Sequence, residues 1–168
     1  MRIFLIGFMG CGKSTLGRKL ATKLGYELID LDHHLEKIAG SSITAYFAEH
    51  GEDSFRRLES ETLKTMHYPD NCVISTGGGT PCFYDNMSWM NENGTTVYIL
   101  MNAFSLAKRL ENGITKRPLL SGLSEEELIR FIAGKLEERN PYYQQAAHVL
   151  NGISLTADLV IAALEPEC

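Results

Sequence analysis

The feature that most constrains this chain is a glycine-rich segment near its start, residues 7–14, which read GFMGCGKS. The segment matches G-x-x-x-x-G-K-[ST], in which glycines let the loop bend so that several backbone N–H groups converge on phosphate oxygens. A helix that begins near Lys13 points its positive end at the same anion. An apolar run precedes the segment and a helical pattern follows it. Residues 7–15 therefore predict a phosphate-binding loop between a buried strand and a helix.

The residues of this phosphate-binding loop are expected to bind different parts of a nucleotide. We expect an exposed Lys13 to reach the β- and γ-phosphates and the Ser14 hydroxyl to ligate Mg²⁺. The other loop residues expected at the nucleotide are Gly10, Cys11, Gly12 and Thr15. The chain lacks the base-reading Asn-Lys-x-Asp and the switch Asp-x-x-Gly that a GTPase needs. A GTPase is therefore excluded.

Short apolar runs alternate along the chain with helical patterns. The predicted strands are 3–6, 28–31, 72–75, 96–100 and 147–150. The predicted helices are 13–24, 33–39, 43–49, 52–67, 85–93, 103–111, 124–138 and 156–164. Strands that alternate with helices favour an α/β fold, here a five-stranded parallel sheet with helices on both faces. A length of 168 residues fits one domain over 1–168.

Composition excludes several classes of protein. A formal net charge of -5 argues against a general nucleic-acid binder, because binding a phosphate backbone needs surplus Lys and Arg. The four cysteines form no CxxC pair, which is typical of a reduced intracellular protein. No apolar run approaches the ~20 residues of a membrane-spanning helix. We expect a cytoplasmic monomer with no nucleic-acid or membrane partner.

Two carboxylates lie where the second predicted strand ends, at Asp30 and Asp32. Ligands of open α/β sheets bind at the carboxyl ends of the strands. In an extended chain, residues two apart point the same way, so both carboxylates are expected to face one ligand. One can serve a metal and the other a substrate hydroxyl. The alternative is that Asp32 caps a helix that begins at His33.

Six segments together make the chain resemble the shikimate kinase family. They are 7–15 (GFMGCGKST), 30–32 (DLD), 55–59 (FRRLE), 75–79 (STGGG), 117–120 (RPLL) and 139–143 (RNPYY). They follow the family's order and spacing over about residues 2–145. The resemblance implies a P-loop kinase fold related to nucleoside monophosphate kinases, with a substrate-binding segment at about 32–62 and a mobile lid at about 113–122. It also implies ATP-dependent, Mg²⁺-assisted phosphorylation of the shikimate 3-hydroxyl.

The same resemblance assigns the substrate site. Arg56 and Arg139 match the two arginines that bind the shikimate carboxylate, and a guanidinium fork suits that anion. Glu59 is expected to orient one of them by an ion pair. The substrate-binding glycines are Gly77, Gly78 and Gly79, with substrate against Gly78. Because three glycines in a row are costly in chain entropy, close approach of the backbone to a ligand is favoured over an ordinary turn.

The resemblance also assigns the reacting groups. Lys13, Asp32 and Arg117 are the expected catalytic residues: Asp32 accepts a hydrogen bond from the attacking hydroxyl, and Arg117 reaches ATP from the lid. Asp30 is expected to hold Mg²⁺ with Ser14. The family often carries an arginine after the fifth strand, near the adenine, but residues 151–154 hold none. Arg109 is the remaining candidate at the adenine.

Two other functions stay open at this point. One is another small-molecule kinase on the same scaffold, such as a gluconate kinase, whose substrate also carries a carboxylate and hydroxyls. The other is a non-catalytic ATP-binding module. Such a module keeps the phosphate-binding loop but has no need for Asp32, two carboxylate-seeking arginines and a lid arginine together.

Overall fold

The computed structural model describes residues 1–112, 120 and 122–165. Its strands are β1 (Arg2–Ile6), β2 (Glu27–Asp30), β3 (Cys72–Ser75), β4 (Thr95–Leu100) and β5 (His148–Asn151). Its α-helices are α1 (Lys13–Leu24), α2 (Leu31–Ala39), α3 (Ile43–Thr65), α4 (Asn86–Asn93), α5 (Ala103–Asn112), α6 (Glu125–Tyr143) and α7 (Ala157–Leu164). A short 3₁₀ turn spans Thr80–Cys82.

The five strands form one parallel sheet in the order β2-β3-β1-β4-β5, which confirms the predicted sheet. The central strand β1 is apolar and buried on both faces, as its continuous run Ile3–Ile6 predicts. The register aligns Leu5 with Ser75 and Ser75 with Asp30. The carboxyl ends of β1, β2 and β3 therefore meet at one edge of the sheet, which is the edge where the predicted site residues follow the strands.

Helices cover both faces of the sheet, as predicted. On one face α1 packs so closely that a Cβ at Gly17 would lie 3.3 Å from the side chains of Leu5 and Leu28. On the other face the ring of Phe4 meets Trp89 of α4 edge-on, with 6.1 Å between centroids. Because Phe4 and Leu5 are neighbours in a strand, their side chains point to opposite faces. The side chains of β1 therefore pack against the helices on both faces of the sheet.

The second strand ends one residue earlier than predicted, and this corrects the geometry expected of the two aspartates. Asp30 is the last residue of β2, and Leu31 and Asp32 already belong to α2. Asp30, rather than Asp32, is the N-cap: its Oδ1 accepts a hydrogen bond from the His33 N–H at 3.1 Å. The interpretation of 30–32 as extended chain was therefore wrong, since the helix starts as soon as Asp30 has capped it.

The predicted helices 43–49 and 52–67 are confirmed as the two helical parts of α3, which are separated by non-helical backbone at Gly51, where φ is 81° and ψ is 171°; the second part ends at Thr65. Helix α6 begins as predicted, with Ser124 Oγ accepting from the Glu127 N–H at 3.2 Å, but it continues through Pro141 to Tyr143. Arg139 consequently lies on a helix. Within the described ranges, no helix is long and apolar enough to cross a bilayer.

Candidate nucleotide and substrate site

The phosphate-binding loop connects β1 to α1 and uses backbone conformations that favour glycine. Gly7, Gly10 and Gly12 have φ values of 152°, 81° and 99°. Gly12 is also the N-cap of α1, so the loop delivers the chain directly into the helix. The predicted arrangement of strand, glycine-rich loop and helix is confirmed, and the positive end of α1 faces the space above the loop.

Lys13 does not extend into solvent as expected. Its side chain is 8% exposed, and its ammonium donates to the carbonyl oxygens of Gly7 at 2.6 Å and Phe8 at 3.1 Å. The expectation of an exposed lysine was wrong because the loop turns its own carbonyls toward the ammonium. Lys13 still lines a cavity of about 390 Å³ together with Ser14 and Thr15.

This nucleotide cavity also receives groups from other elements. Arg109 of α5 lines it and donates from Nη1 to the Cys11 carbonyl oxygen at 3.1 Å. Asp30 and Asp32 line it from the β2–α2 junction. The structure thus brings both aspartates to the loop, although a helix start places them there instead of an extended strand. Its remaining wall is the end of β3 and the glycines that follow.

A second cavity of about 300 Å³ adjoins the first. Arg56 of α3 and Arg139 of α6 both line it, as do the glycines 77–79. Aromatic rings of Phe8, Phe47, Phe55 and Phe131 form part of its wall. We call it the arginine cavity. The two spaces meet at four residues that line both cavities: Met9, Asp32, Gly77 and Gly78.

Arg56 is held firmly in the arginine cavity. It is 9% exposed, and its Nη1 donates to Glu59 Oε1 at 2.9 Å. Its Cζ lies 4.2 Å from the ring centroid of Phe83. Its buried Nε makes no hydrogen bond to any described residue, and Glu52 Oε1 lies 3.6 Å away. The predicted ion pair between Glu59 and one of the two arginines is confirmed.

Arg139, on α6, also lines the arginine cavity. Its Nη1 is buried and finds no hydrogen-bond partner among the described residues, and its Cζ lies 5.3 Å from the Phe8 ring centroid. A buried guanidinium nitrogen without an acceptor is unfavourable unless a ligand supplies one. Two such atoms from two helices therefore point to an anion in the arginine cavity.

The backbone of the three glycines 77–79 lies in close contact with the side chains of Asp32, Arg139 and Arg56. A Cβ at Gly79 would lie 2.5 Å from Arg56 Nη2, and a Cβ at Gly78 would lie 3.3 Å from Arg139 Nη1. At Gly77 it would lie 3.0 Å from Asp32 Oδ1. Close approach is thus the reason for the glycines, but the groups that approach are the protein's own atoms, whereas the sequence predicted a ligand.

Two residues of the site were not predicted from the sequence. Thr80 is fully buried and donates to Glu59 Oε2 at 2.8 Å. Tyr143 is fully buried, and its hydroxyl donates to the Gly78 carbonyl oxygen. Burial raises the pKa of Tyr143 well above its ordinary value, although Arg139 opposes the shift. A signal existed for Tyr143, since it ends the segment that contains Arg139, but none existed for Thr80.

The predicted lid cannot be placed in this picture. Residues 113–119 and 121 lie outside the described residues, and they include Arg117. That Arg117 reaches the nucleotide therefore stays a prediction from the sequence.

Comparison with known proteins gives a consistent result. A family model for shikimate kinase matches residues 9–164. A shikimate kinase of Parabacteroides distasonis is 48% identical over 146 residues, which cover 87% of this chain and 84% of the relative. The crystal structure of a Bacteroides thetaiotaomicron shikimate kinase superposes with a TM-score of 0.91 at 42% identity, covering 98% of this chain and 96% of that one. An Acinetobacter baumannii shikimate kinase, solved in complex with shikimate, gives a TM-score of 0.81 at 32% identity, covering 97% and 90%.

Proposed function

The chain belongs to the shikimate kinase family, and on that premise we propose that its two adjoining cavities hold ATP and shikimate side by side. It is an ATP-dependent kinase that phosphorylates a hydroxyl group of shikimate. This membership decides against the gluconate kinase and the non-catalytic module. The assignment of individual residues below is our proposal.

The observation that carries the assignment is the position of Asp32. Asp32 lines both the nucleotide cavity and the arginine cavity. A hydroxyl of a substrate in the arginine cavity can meet a terminal phosphate on the loop only where the two spaces join. On this basis we propose that Asp32 accepts a hydrogen bond from the attacking 3-hydroxyl and orients it. Because phosphoryl transfer depends mainly on positioning and electrostatics, Asp32 need not be a strong base.

Arg56 and Arg139 are proposed to bind the shikimate carboxylate between them. Both guanidinium groups contain a buried nitrogen without a hydrogen-bond partner in the described chain. A carboxylate supplies the two acceptor oxygens that such groups require. The aromatic wall excludes water from this contact, which strengthens it. Substrate held at one end by its carboxylate then presents a hydroxyl to Asp32 at the other.

Lys13 and the helix α1 are proposed to bind the ATP phosphates. An ammonium has three N–H donors, and Lys13 now gives two of them to loop carbonyls. Phosphate oxygens can replace these carbonyl oxygens as acceptors, so that the Lys13 ammonium keeps its hydrogen bonds when ATP binds. We also propose that Arg117 reaches the transferring phosphoryl group from the lid and that Arg109, already bonded to the loop at Cys11, lies beside the nucleotide.

The residues at the nucleotide cavity fit Mg²⁺. The ion prefers hard oxygen ligands, and Ser14 and Asp30, which carry a hydroxyl and a carboxylate, line the same cavity. Mg²⁺ bound there would neutralise phosphate charge during transfer. Asp30 keeps a fixed orientation for this task because one of its oxygens caps α2. We further propose that the protein acts as a monomer in the cytoplasm.

The experiment that tests the proposal compares shikimate with its methyl ester. The ester keeps the ring and hydroxyls but removes the negative charge. We expect ATP-dependent ADP release with shikimate, little with the ester, and none above background with gluconate. Equal turnover of acid and ester would show that the two arginines do not read a carboxylate, and the site assignment would fail. Release of ADP at the same rate without any acceptor would contradict a hydroxyl-directed kinase.

A further inference from the structure

A buried carboxylate in the arginine cavity is held by two different groups. Glu59 is 1% exposed, and its Oε1 accepts from Arg56 Nη1 at 2.9 Å. Its Oε2 accepts from the Thr80 hydroxyl at 2.8 Å. Thr80 is 0% exposed, so this hydroxyl cannot exchange its bond for one with bulk water. Both oxygens of Glu59 are thus committed, one to the arginine and one to the threonine.

We propose that Thr80 is a positioning residue for shikimate binding. Its hydroxyl fixes the plane of the Glu59 carboxylate, which in turn fixes the Arg56 guanidinium toward the substrate. The terminal torsion of a glutamate is broad, so one bond to Arg56 alone leaves the carboxylate free to turn. The inference rests on the proposed role of Arg56 as a carboxylate-binding residue.

A second carboxylate, that of Glu52, competes with Glu59 for Arg56, so the position of Glu59 has to be fixed. Glu52 Oε1 lies 3.6 Å from Arg56 Nε, one helical turn before the arginine. The side chain of Glu52 is largely exposed, whereas that of Glu59 is buried. If Glu59 turns away, Arg56 can shift toward Glu52, and its Nε then binds a protein carboxylate instead of the substrate. Thr80 thereby selects which glutamate holds the arginine.

The Thr80 hydroxyl is itself held in a fixed place. The Thr80 carbonyl oxygen accepts from Asn86 Nδ2 at 2.9 Å, and the Thr80 N–H donates to the Gly77 carbonyl at 3.2 Å. Asn86 Oδ1 accepts in turn from Ser60 Oγ at 2.6 Å. These buried bonds join α3, the 3₁₀ turn and α4. They anchor the backbone from which Thr80 reaches Glu59.

The Ser60–Asn86 bond supplies a matched control. Ser60 lies next to Glu59 on the same helix and is also buried, but its hydroxyl bonds Asn86 and not Glu59. Removing either hydroxyl breaks one buried hydrogen bond in the same network. Only the loss at Thr80 removes a bond to Glu59, because Ser60→Ala leaves the bond from Asn86 Nδ2 to the Thr80 carbonyl oxygen in place. The pair therefore separates positioning from a general loss of stability.

The test measures shikimate affinity by calorimetry in Thr80→Val, Thr80→Ser and Ser60→Ala, beside ATP affinity and Tm. A hydrogen bond to a charged group corresponds to roughly tenfold or more in an equilibrium constant, and part of that should reach the ligand. We expect Thr80→Val to weaken shikimate by ~5- to 20-fold with ATP affinity unchanged. Thr80→Ser keeps the donor and should restore most of the affinity. Ser60→Ala should lower Tm and leave shikimate affinity within about twofold.

The outcomes distinguish this inference from the proposed function. Wild-type shikimate affinity in Thr80→Val, or an equal loss in Ser60→Ala, would overturn the role of Thr80. Thr80→Ala serves the same comparison should the valine variant not fold. Arg56→Ala is measured in parallel. If it also binds shikimate like the wild type, the proposed role of Arg56 fails, whereas a large loss there with none in Thr80→Val defeats only the inference about Thr80.

Discussion

Replacing Gly79 by alanine is the sharpest test of the arginine cavity. The backbone at Gly79 has φ −93° and ψ −10°, which alanine adopts readily, so no conformational strain is expected. The added Cβ would instead lie 2.5 Å, 2.6 Å and 2.8 Å from Nη2, Nη1 and Cζ of Arg56. Ordinary van der Waals contact begins at 3.4 Å, so the guanidinium must retreat by about 0.9 Å, the difference between 3.4 and 2.5 Å.

The Arg56 guanidinium has little room to move away from the added Cβ, and this determines how much stability and affinity are lost. The ring centroid of Phe83 lies 4.2 Å from Arg56 Cζ, and the hydrogen bond from Arg56 to Glu59 is 2.9 Å long. Overpacking of this kind destabilises a protein by ~1–3 kcal/mol. Displacing a charged donor from its acceptor site in the ligand lowers affinity by a further ~1.5–3 kcal/mol, so shikimate should bind roughly 10- to 150-fold more weakly. ATP should bind as before.

The assay combines urea unfolding with calorimetric titration of shikimate and of ATP. Gly134→Ala is the control: Gly134 lies inside α6, and a Cβ there meets no atom within 4 Å. That variant should gain up to about 1 kcal/mol from helix propensity and keep its affinity for shikimate. Wild-type shikimate affinity in a folded Gly79→Ala variant would refute the argument, because it would show that the guanidinium can move without consequence.

Three further outcomes are expected. Asp32→Asn should lower kcat far more than it weakens ATP binding, and equal losses in both would indicate a metal-binding role instead. Arg139→Ala should weaken shikimate by ~2–5 kcal/mol as the partner of a desolvated charge pair, and Arg139→Lys should recover only part because an ammonium lacks the planar fork. Burial raises the pKa of the Cys82 thiol from 9.0 to about 11, so its contribution to stability is complete below pH 9.0 and is lost as the pH rises through 11. Cys82→Ala should therefore flatten the decline in unfolding free energy over that interval, and an unchanged pH profile would contradict the assignment.

The elements that could be predicted from the sequence are those with local causes. The phosphate-binding loop needs three glycines at positive φ, and no other residue type serves that need as well. The buried strand β1 is a continuous apolar run, which is what a parallel strand covered on both faces requires. Arg56 and Glu59 are three apart on a helix, so their ion pair follows from helical spacing.

The elements that could not be predicted depend on distant contacts. Helix α6 runs through Pro141, although proline normally ends or kinks a helix. Its last residue is held by residues far away in the sequence. The Tyr143 ring packs at a tilt against the Tyr98 ring, with 4.9 Å between centroids, and its hydroxyl donates to the Gly78 carbonyl oxygen. Thr80 reaches Glu59 across 21 residues. No local sequence pattern predicts these contacts. At the end of α6, the packing of Tyr143 outweighs the tendency of Pro141 to end the helix.

The junction of the two cavities leads to a last prediction, at Gly78. A Cβ there would lie 3.3 Å from Arg139 Nη1 and equally 3.3 Å from the backbone nitrogen of Met9, which belongs to the phosphate-binding loop. Contacts of this length require the neighbour to give by a few tenths of an ångström. An arginine can adjust by that much, whereas the loop is fixed by glycine conformations at Gly7 and Gly10.

Gly78→Ala should therefore weaken both ligands modestly, by roughly 3- to 10-fold each, whereas Gly79→Ala should weaken shikimate alone. Calorimetric titration of ATP without shikimate, and of shikimate without ATP, separates the two effects. The contrast follows from geometry, because a Cβ at Gly78 has its nearest neighbours in both cavities, whereas the three atoms nearest to a Cβ at Gly79 all belong to Arg56. If Gly78→Ala lowers shikimate affinity but leaves ATP affinity unchanged, the phosphate-binding loop moves aside more easily than Arg139 does. The prediction that a change at Gly78 affects both sites would then be wrong.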